Sequence, residues 1–276
     1  MQLKKMNNLY PKRHNWIHKG ERGYVLVLSG SKRYSGSTVF NAVSALRAGS
    51  DLVFCIGPER AMNLAASFSP DMICHPLKGD FLRKKHIPFV LRMIEKFDSI
   101  VLGCGMGKSE ETLESLRKII ESSKKPMVID ADGISALSKD TVKGKKALIT
   151  PHSLEFELLT GEKLEEDIED RKEKVKKWAE KLETVILLKG HVDVISDGKD
   201  VVLNKTGSEY MTKGGFGDTL SGIAGSFLAK RIEPLEAAKI SSFINGKAGQ
   251  LACDKYGEGV MASDIFEFIP QVIKKL

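Results

Sequence analysis

Short apolar runs that end in glycine, serine, aspartate or histidine recur along this chain, and segments with helical spacing lie between several of them. GYVLVLSG (23–30), DLVFCIG (51–57), SIVLGCGMG (99–107), PMVIDAD (126–132), KALITPH (146–152) and TVILLKG (184–190) are such runs. They are too short to span a membrane. Strands buried on both faces read as continuous apolar runs, so the pattern predicts a mostly parallel sheet covered by helices on either side. STVFNAVSALRAGS (37–50) spaces Val39, Val43 and Leu46 as a helix with Gly49 as its stop, and EETLESLRKIIESS, after Gly107, is another helix. VDVISDG (192–198) and DVVLNKTG (200–207) flank a short turn at Asp197-Gly198, which predicts an antiparallel pair. The densely charged stretch 161–183 reads as an exposed helix with an apolar stripe through Val175, Trp178 and Leu182.

The chain has 276 residues, 42% of them hydrophobic and 29% charged, which supports a sizeable core. It shows no repeat, linker or low-complexity segment, so one domain over 1–276 is the simplest division. A net charge of +7 is compatible with nucleic acid, a membrane surface or an anionic small substrate. The basic residues are scattered and no aromatic ladder accompanies them, which argues against nucleic acid as the main partner. The length of the apolar runs argues against a membrane. Cysteines at 55, 74, 104 and 253 form no Cys-x-x-Cys pair, which suits reduced thiols and a cytoplasmic location. Cys74-His75 reads as a loop cysteine beside a surface histidine rather than as a metal site. The opening MQLKKMNNLYPKRHNWIHKG lacks the apolar core of a signal peptide.

In sheets of this kind ligands bind beyond the carboxyl ends of the strands. Ser29-Gly30, Gly103 to Gly107, Asp130, Asp132, His152 and Lys189-Gly190 gather at those ends. TKGGFGDTLSGIAGSFLAK (212–230) is the most informative stretch. Gly214, Gly215 and Gly217 allow close backbone approach to a phosphate, and the N–H groups and dipole of the following helix favour an anion. The small residues mixed among apolar ones from Leu220 to Leu228 permit close packing of a buried helix on the sheet. Asp218 is either an N-cap or a general base that deprotonates a hydroxyl attacking a nucleotide's terminal phosphoryl group. The helix dipole is expected to hold it ionised.

Taken in order, HKGERGYVLVLSGSKRYSGSTVFNAVSALRAGSDLVFC, GCGMG, VIDADGISAL, ITPHSLEFELLTG, LLKGHVD, NKTGSEYMTKGGFGDTLSGIAGSFLAK and MASDIFEFIP resemble the ADP- or ATP-dependent NAD(P)H-hydrate dehydratases. The resemblance runs from about His18 nearly to the end. It implies a ribokinase-like three-layer α/β/α sandwich with a mostly parallel central sheet. It also implies repair of hydrated NADH or NADPH: the ring hydroxyl is phosphorylated by ADP or ATP, with Mg²⁺ as cofactor, and phosphate then eliminates.

By the same resemblance Asp218 is the base and touches the hydrated ring. Ser37, Gly107 and His152 contact the same substrate, and Tyr34 and Gly36 shape the first loop. Lys189, Gly190, His191, Val192 and Asp193 line the nucleotide site, and Gly215, Phe216 and Gly217 form the anion hole. Asp130 and Asp132 order loops, water or metal. The family usually has threonine at Phe216, alanine at Ser37 and asparagine at Ser208. Phe216 keeps a backbone N–H for the anion hole but loses a hydroxyl and adds bulk. Members of the family assemble as homo-oligomeric tetramers. Many carry a fused epimerase, for which this chain has no room, so a separate epimerase is expected. Two other readings use the same turn: a kinase of a small vitamin precursor such as a thiazole or hydroxymethylpyrimidine, and a non-catalytic nucleotide binder.

Overall fold

Each apolar run forms a strand in the computed structural model, which describes residues 14–276. The reading of the N-terminus falls largely on residues 1–13, outside the described residues. The chain runs β1 (Tyr24–Leu28), α1 (Ser37–Arg47), β2 (Leu52–Pro58), α2 (Glu59–Phe68), β3 (Met72–Leu77), α3 (Ile87–Ile94), β4 (Ser99–Leu102) and α4 (Glu110–Ser122). It continues through β5 (Met127–Ile129), α5 (Asp132–Ser135), β6 (Ala147–Ile149), α6 (Ser153–Thr160), α7 (Ile168–Leu182) and β7 (Val185–Leu188). It ends with β8 (Asp193–Ser196), β9 (Val201–Asn204), α8 (Phe216–Ala229), α9 (Pro234–Tyr256) and α10 (Phe268–Lys274).

The strands form one sheet in the order β3-β2-β1-β4-β5-β6-β7-β8-β9. Pairing is parallel from β3 across to β7, then antiparallel at β7–β8 and β8–β9. The direction of chain progress reverses between β1 and β4, which creates a crevice at the carboxyl ends of those two strands.

Alternation along each strand sends side chains to two separate cores. Val25, Val27, Val101, Val128 and Leu148 meet Ile223, Phe227, Phe243 and Ile244 on one face. Leu26, Leu28, Ile100, Leu102 and Ile129 meet Val90, Leu116, Ile120 and Trp178 on the other. The short valines lie on the side of α8, which packs close. A Cβ on Gly222 would lie 2.1 Å from the Asn41 carbonyl oxygen, and one on Gly225 would lie 2.2 Å from Val101 Cγ2. The small residues of 212–230 therefore do the packing expected of them. Burying a side chain such as Phe227 stabilises the fold by roughly 2–3 kcal/mol.

Several elements depart from the sequence reading. Cys74 and His75 read as a loop cysteine and a surface histidine, yet both lie on β3, together with Pro76. This is an edge strand, where proline is tolerated. His75 is stacked on Phe89 at 4.3 Å rather than free at the surface. α7 starts at Ile168, later than expected, because α6 ends in left-handed Gly161 and Asp167 caps α7 through Asp170 N. Its Val175, Trp178 and Leu182 are buried as expected. No helix among the described residues is long and apolar enough to cross a membrane.

Candidate active site

The crevice between β1 and β4 is closed from the side by the N-terminus of α8. The loops after the two strands are joined, since Gly30 N donates to the Cys104 carbonyl at 2.9 Å. Asn41 on α1 is fully buried beneath them and donates through Nδ2 to the Asp218 carbonyl at 2.8 Å and to Cys104 Sγ at 3.4 Å. α8 begins after Gly215, whose φ of 102° requires glycine in practice. A Cβ there would also sit 2.8 Å from Ala262 Cβ.

Asp218 is therefore the third residue of the helix and not its cap. Its carboxylate points into the crevice. Ligand atoms of Cys104, Asp130 and Asp218 all lie within 4.8 Å of one another. Burial and the neighbouring Asp130 push the Asp218 pKa up to about 7, while Ser37, Cys104 and Lys189 pull it down. The expectation that the helix dipole holds this group firmly ionised is corrected. Loss of water and a second carboxylate outweigh the dipole.

Asp130 is almost fully buried at the end of β5. Its Oδ1 accepts from Lys189 Nζ at 2.8 Å and from Ala131 N at 2.9 Å. Its Oδ2 accepts from Ser221 Oγ at 2.7 Å and from Cys104 Sγ at 3.7 Å. Lys189 also lies 3.7 Å from Glu155 Oε2. Burial lowers the Lys189 pKa, but Asp130 and Glu155 raise it more, so it stays charged. A Cβ on Gly217 would lie 3.2 Å from Lys189 Nζ, which places that ammonium against the glycine turn. Burial pushes the Cys104 thiol well up, so it is a protonated donor.

Ala131 between the two aspartates has φ 51° and ψ −120°, strained for a residue with a side chain. That bend aims Asp130 into the site and lets Asp132 Oδ2 accept from Gly107 N at 2.7 Å. Both carboxylates thereby hold loop backbone.

The structure brings Ser37, Lys189, Gly217 and Asp218 together. Gly36 caps α1, Ser37 is its first residue, and Tyr34 stands exposed on the loop before it. His152 is the N-cap of α6: its Nδ1 accepts from Glu155 N at 3.3 Å, and His152 N donates to Glu155 Oε2 at 2.9 Å. It reaches the site through Glu155 and Lys189. Phe216 turns its ring into the core and is 5% exposed, so its bulk does not fill the turn. Val192 is half-buried, and Gly190 and His191 are exposed. Asp193 faces elsewhere. It accepts from Gly190 N at 3.1 Å and Ser242 Oγ at 2.6 Å, and burial raises its pKa. Asn41, Cys104, Glu155 and Ser221 carry no individual signal in the sequence. Of these, Cys104 lies inside GCGMG and Ser221 inside the glycine-rich stretch 212–230, so both fall in stretches that glycine spacing marks.

A family model described as NAD(P)H-hydrate dehydratase matches residues 25–271. The chain belongs to this family. Within it, the ADP-dependent (S)-NAD(P)H-hydrate dehydratase of Cenarchaeum symbiosum is 38% identical over 266 residues, 96% of this chain and 93% of that protein. The bifunctional NAD(P)H-hydrate repair enzyme of Pyrobaculum aerophilum is 43% identical over 259 residues, 93% of this chain and 52% of that protein. The chain thus spans about half the length of the bifunctional family members it matches. The crystal structure of the ADP/ATP-dependent NAD(P)H-hydrate dehydratase from Bacillus subtilis, co-crystallised with ATP/Mg²⁺, is similar with a TM-score of 0.84. That likeness is at 26% identity and covers 99% of this chain and 96% of the other. The ribokinase-like α/β/α fold implied by the sequence resemblance is the one observed.

Proposed function

We propose that this protein restores NADH or NADPH from its hydrated form, using ADP or ATP to phosphorylate the ring hydroxyl of the (S)-epimer and then eliminating phosphate. The observation that carries this reading is the Asp218 carboxylate, set beside a glycine turn with a pKa of about 7. A base of that pKa is matched to neutral pH. It takes the hydroxyl proton as the oxygen attacks the nucleotide's terminal phosphorus, and the bond from that phosphorus to the leaving nucleotide breaks. The N–H groups that open α8 face the transferred phosphoryl, and Lys189 adds a positive charge beside them. Ser37 favours the ionised carboxylate by lowering its pKa. Support also comes from the relative named an ADP-dependent (S)-NAD(P)H-hydrate dehydratase, which the chain matches nearly end to end. That match favours this reading over a vitamin-precursor kinase.

Mg²⁺ is implied by the Bacillus subtilis enzyme, which was co-crystallised with ATP/Mg²⁺. The cluster of Cys104, Asp130 and Asp218 does not fit it. Mg²⁺ wants hard oxygen ligands in octahedral array. Here one donor is a protonated thiol, and both Asp130 oxygens are already bonded to Lys189, Ser221 and Ala131. Magnesium would arrive on the nucleotide's phosphates, and no step above is assigned to it.

The test mixes purified protein with hydrated NADH or NADPH, Mg²⁺ and either ADP or ATP, and follows the reduced-nicotinamide absorbance. A nucleotide-dependent rise supports the reading and names the donor. No rise with any combination, from folded protein that binds nucleotide, rejects it.

A further inference from the structure

Cys55 on β2 and Cys74 on β3 are direct register partners in adjacent parallel strands. Residues paired in this way point to the same face, and both side chains join the same apolar layer. Neighbouring strands lie about 4.8 Å apart, a separation of Cα atoms that a disulfide spans. Both thiols are free in the structure. Cys55 is fully buried, whereas Cys74 is half-buried on the edge strand and within reach of a small oxidant.

The two thiols also differ chemically. The Cys55 thiol donates a hydrogen bond to Cys74, which holds the Cys74 pKa below the ordinary thiol value although burial opposes this. The same bond, with burial, pushes Cys55 well up. A more nucleophilic sulfur therefore sits at the edge with a protonated thiol behind it. Neither Cys104 nor Cys253 is a register partner of another cysteine among the described strands.

We propose that Cys55 and Cys74 form a dithiol–disulfide site, oxidised by a peroxide or by a small-molecule disulfide. With peroxide, the Cys74 thiolate attacks the O–O bond, giving a sulfenic acid and hydroxide. The Cys55 thiol then attacks that sulfur, the S–S bond forms and water leaves. With a small disulfide, Cys74 forms a mixed disulfide and releases one thiolate, and Cys55 displaces the second. Either way two thiols lose two electrons and two protons to the oxidant. The Cβ separation normally found in a disulfide is shorter than the strand spacing, so the bond is strained and easily reduced. It clamps β3 to β2. The segment after β3 carries Asp80, which holds the first site loop through Lys32 Nζ at 3.0 Å and Lys32 N at 2.9 Å.

The full chain is treated with glutathione disulfide or hydrogen peroxide, then denatured, alkylated and mapped by mass spectrometry. Free thiols should fall from the four in the sequence to two, with a cross-linked peptide pair containing Cys55 and Cys74 that dithiothreitol separates. Cys55→Ser should trap Cys74 as a mixed disulfide or sulfenic acid, and Cys74→Ser should leave Cys55 unmodified. Cys55 still alkylatable after Cys74 has been oxidised in the unsubstituted protein overturns the proposal. So does loss of Cys104 or Cys253 in their place, or no loss of thiol at all.

Discussion

Lys189 Nζ lies 2.8 Å from Asp130 Oδ1, and the two residues are 59 positions apart in the chain. The pair joins the ends of β7 and β5 directly behind the turn that opens α8. Asp130 raises the Asp218 pKa and Lys189 lowers it, so the pair sets the proton affinity of the proposed base.

Lys189→Met should therefore do two things. It leaves the buried Asp130 without its cation, which costs about 3 kcal/mol of stability, read by urea unfolding. It also removes a charge that pulls the Asp218 pKa down. The acid limb of kcat/KM should then move above the position it has in the unsubstituted protein.

In the unsubstituted protein, kcat/KM should rise with pH and level off with an apparent pKa of about 7, following ionisation of Asp218 in the free enzyme. A limb near the ordinary aspartate value of 3.8 would show that burial and Asp130 do not shift the group, and a limb that persists in Asp218→Asn would remove Asp218 as the titrating base.

Stability should carry the same signature with the opposite benefit. The folded pKa of Asp218 lies above its unfolded value of 3.8, so the folded chain binds the proton more tightly. Stability contributed in this way is complete below pH 3.8 and is lost as pH rises through about 7. Asp218→Asn should melt like the unsubstituted protein at about pH 3.5 and higher than it at about pH 8. Calorimetry at the two pH values checks this.

Gly222→Ala should destabilise the chain by about 1–3 kcal/mol, since its Cβ would meet the Asn41 carbonyl at 2.1 Å. Because Asn41 also holds the Asp218 carbonyl, kcat should fall as well. Denaturant midpoints and initial rates measure the two effects.

His152→Ala removes the cap of α6 and should cost about 1 kcal/mol. If His152 also contacts the hydrated dinucleotide, KM for that substrate should rise while KM for the nucleotide stays. Unchanged KM values would leave His152 as a cap alone.

The sheet is legible in the sequence because β1, β4, β5, β6 and β7 are buried on both faces and read as apolar runs. β3 is not, because an edge strand admits His75 and Pro76. α9 shows no stripe, because Ser241, Ser242, Asn245 and Gly246 are buried together with its apolar residues. At the site, the glycine turn and Asp218 stand out from local spacing and resemblance. The Asp130–Lys189 pair does not, since nothing local signals a contact across separate strands. The raised Asp218 pKa is hidden for a related reason: it depends on burial by several elements, whereas the dipole belongs to one helix alone.

The most direct measurement is turnover and nucleotide binding by Asp218→Asn, side by side with the unsubstituted protein. If Asp218 is the base, nucleotide affinity stays within a few-fold and turnover falls by roughly 10²–10⁴, with hydrated NADH or NADPH left unconverted. Full turnover by the variant would contradict the assignment of Asp218 as the base.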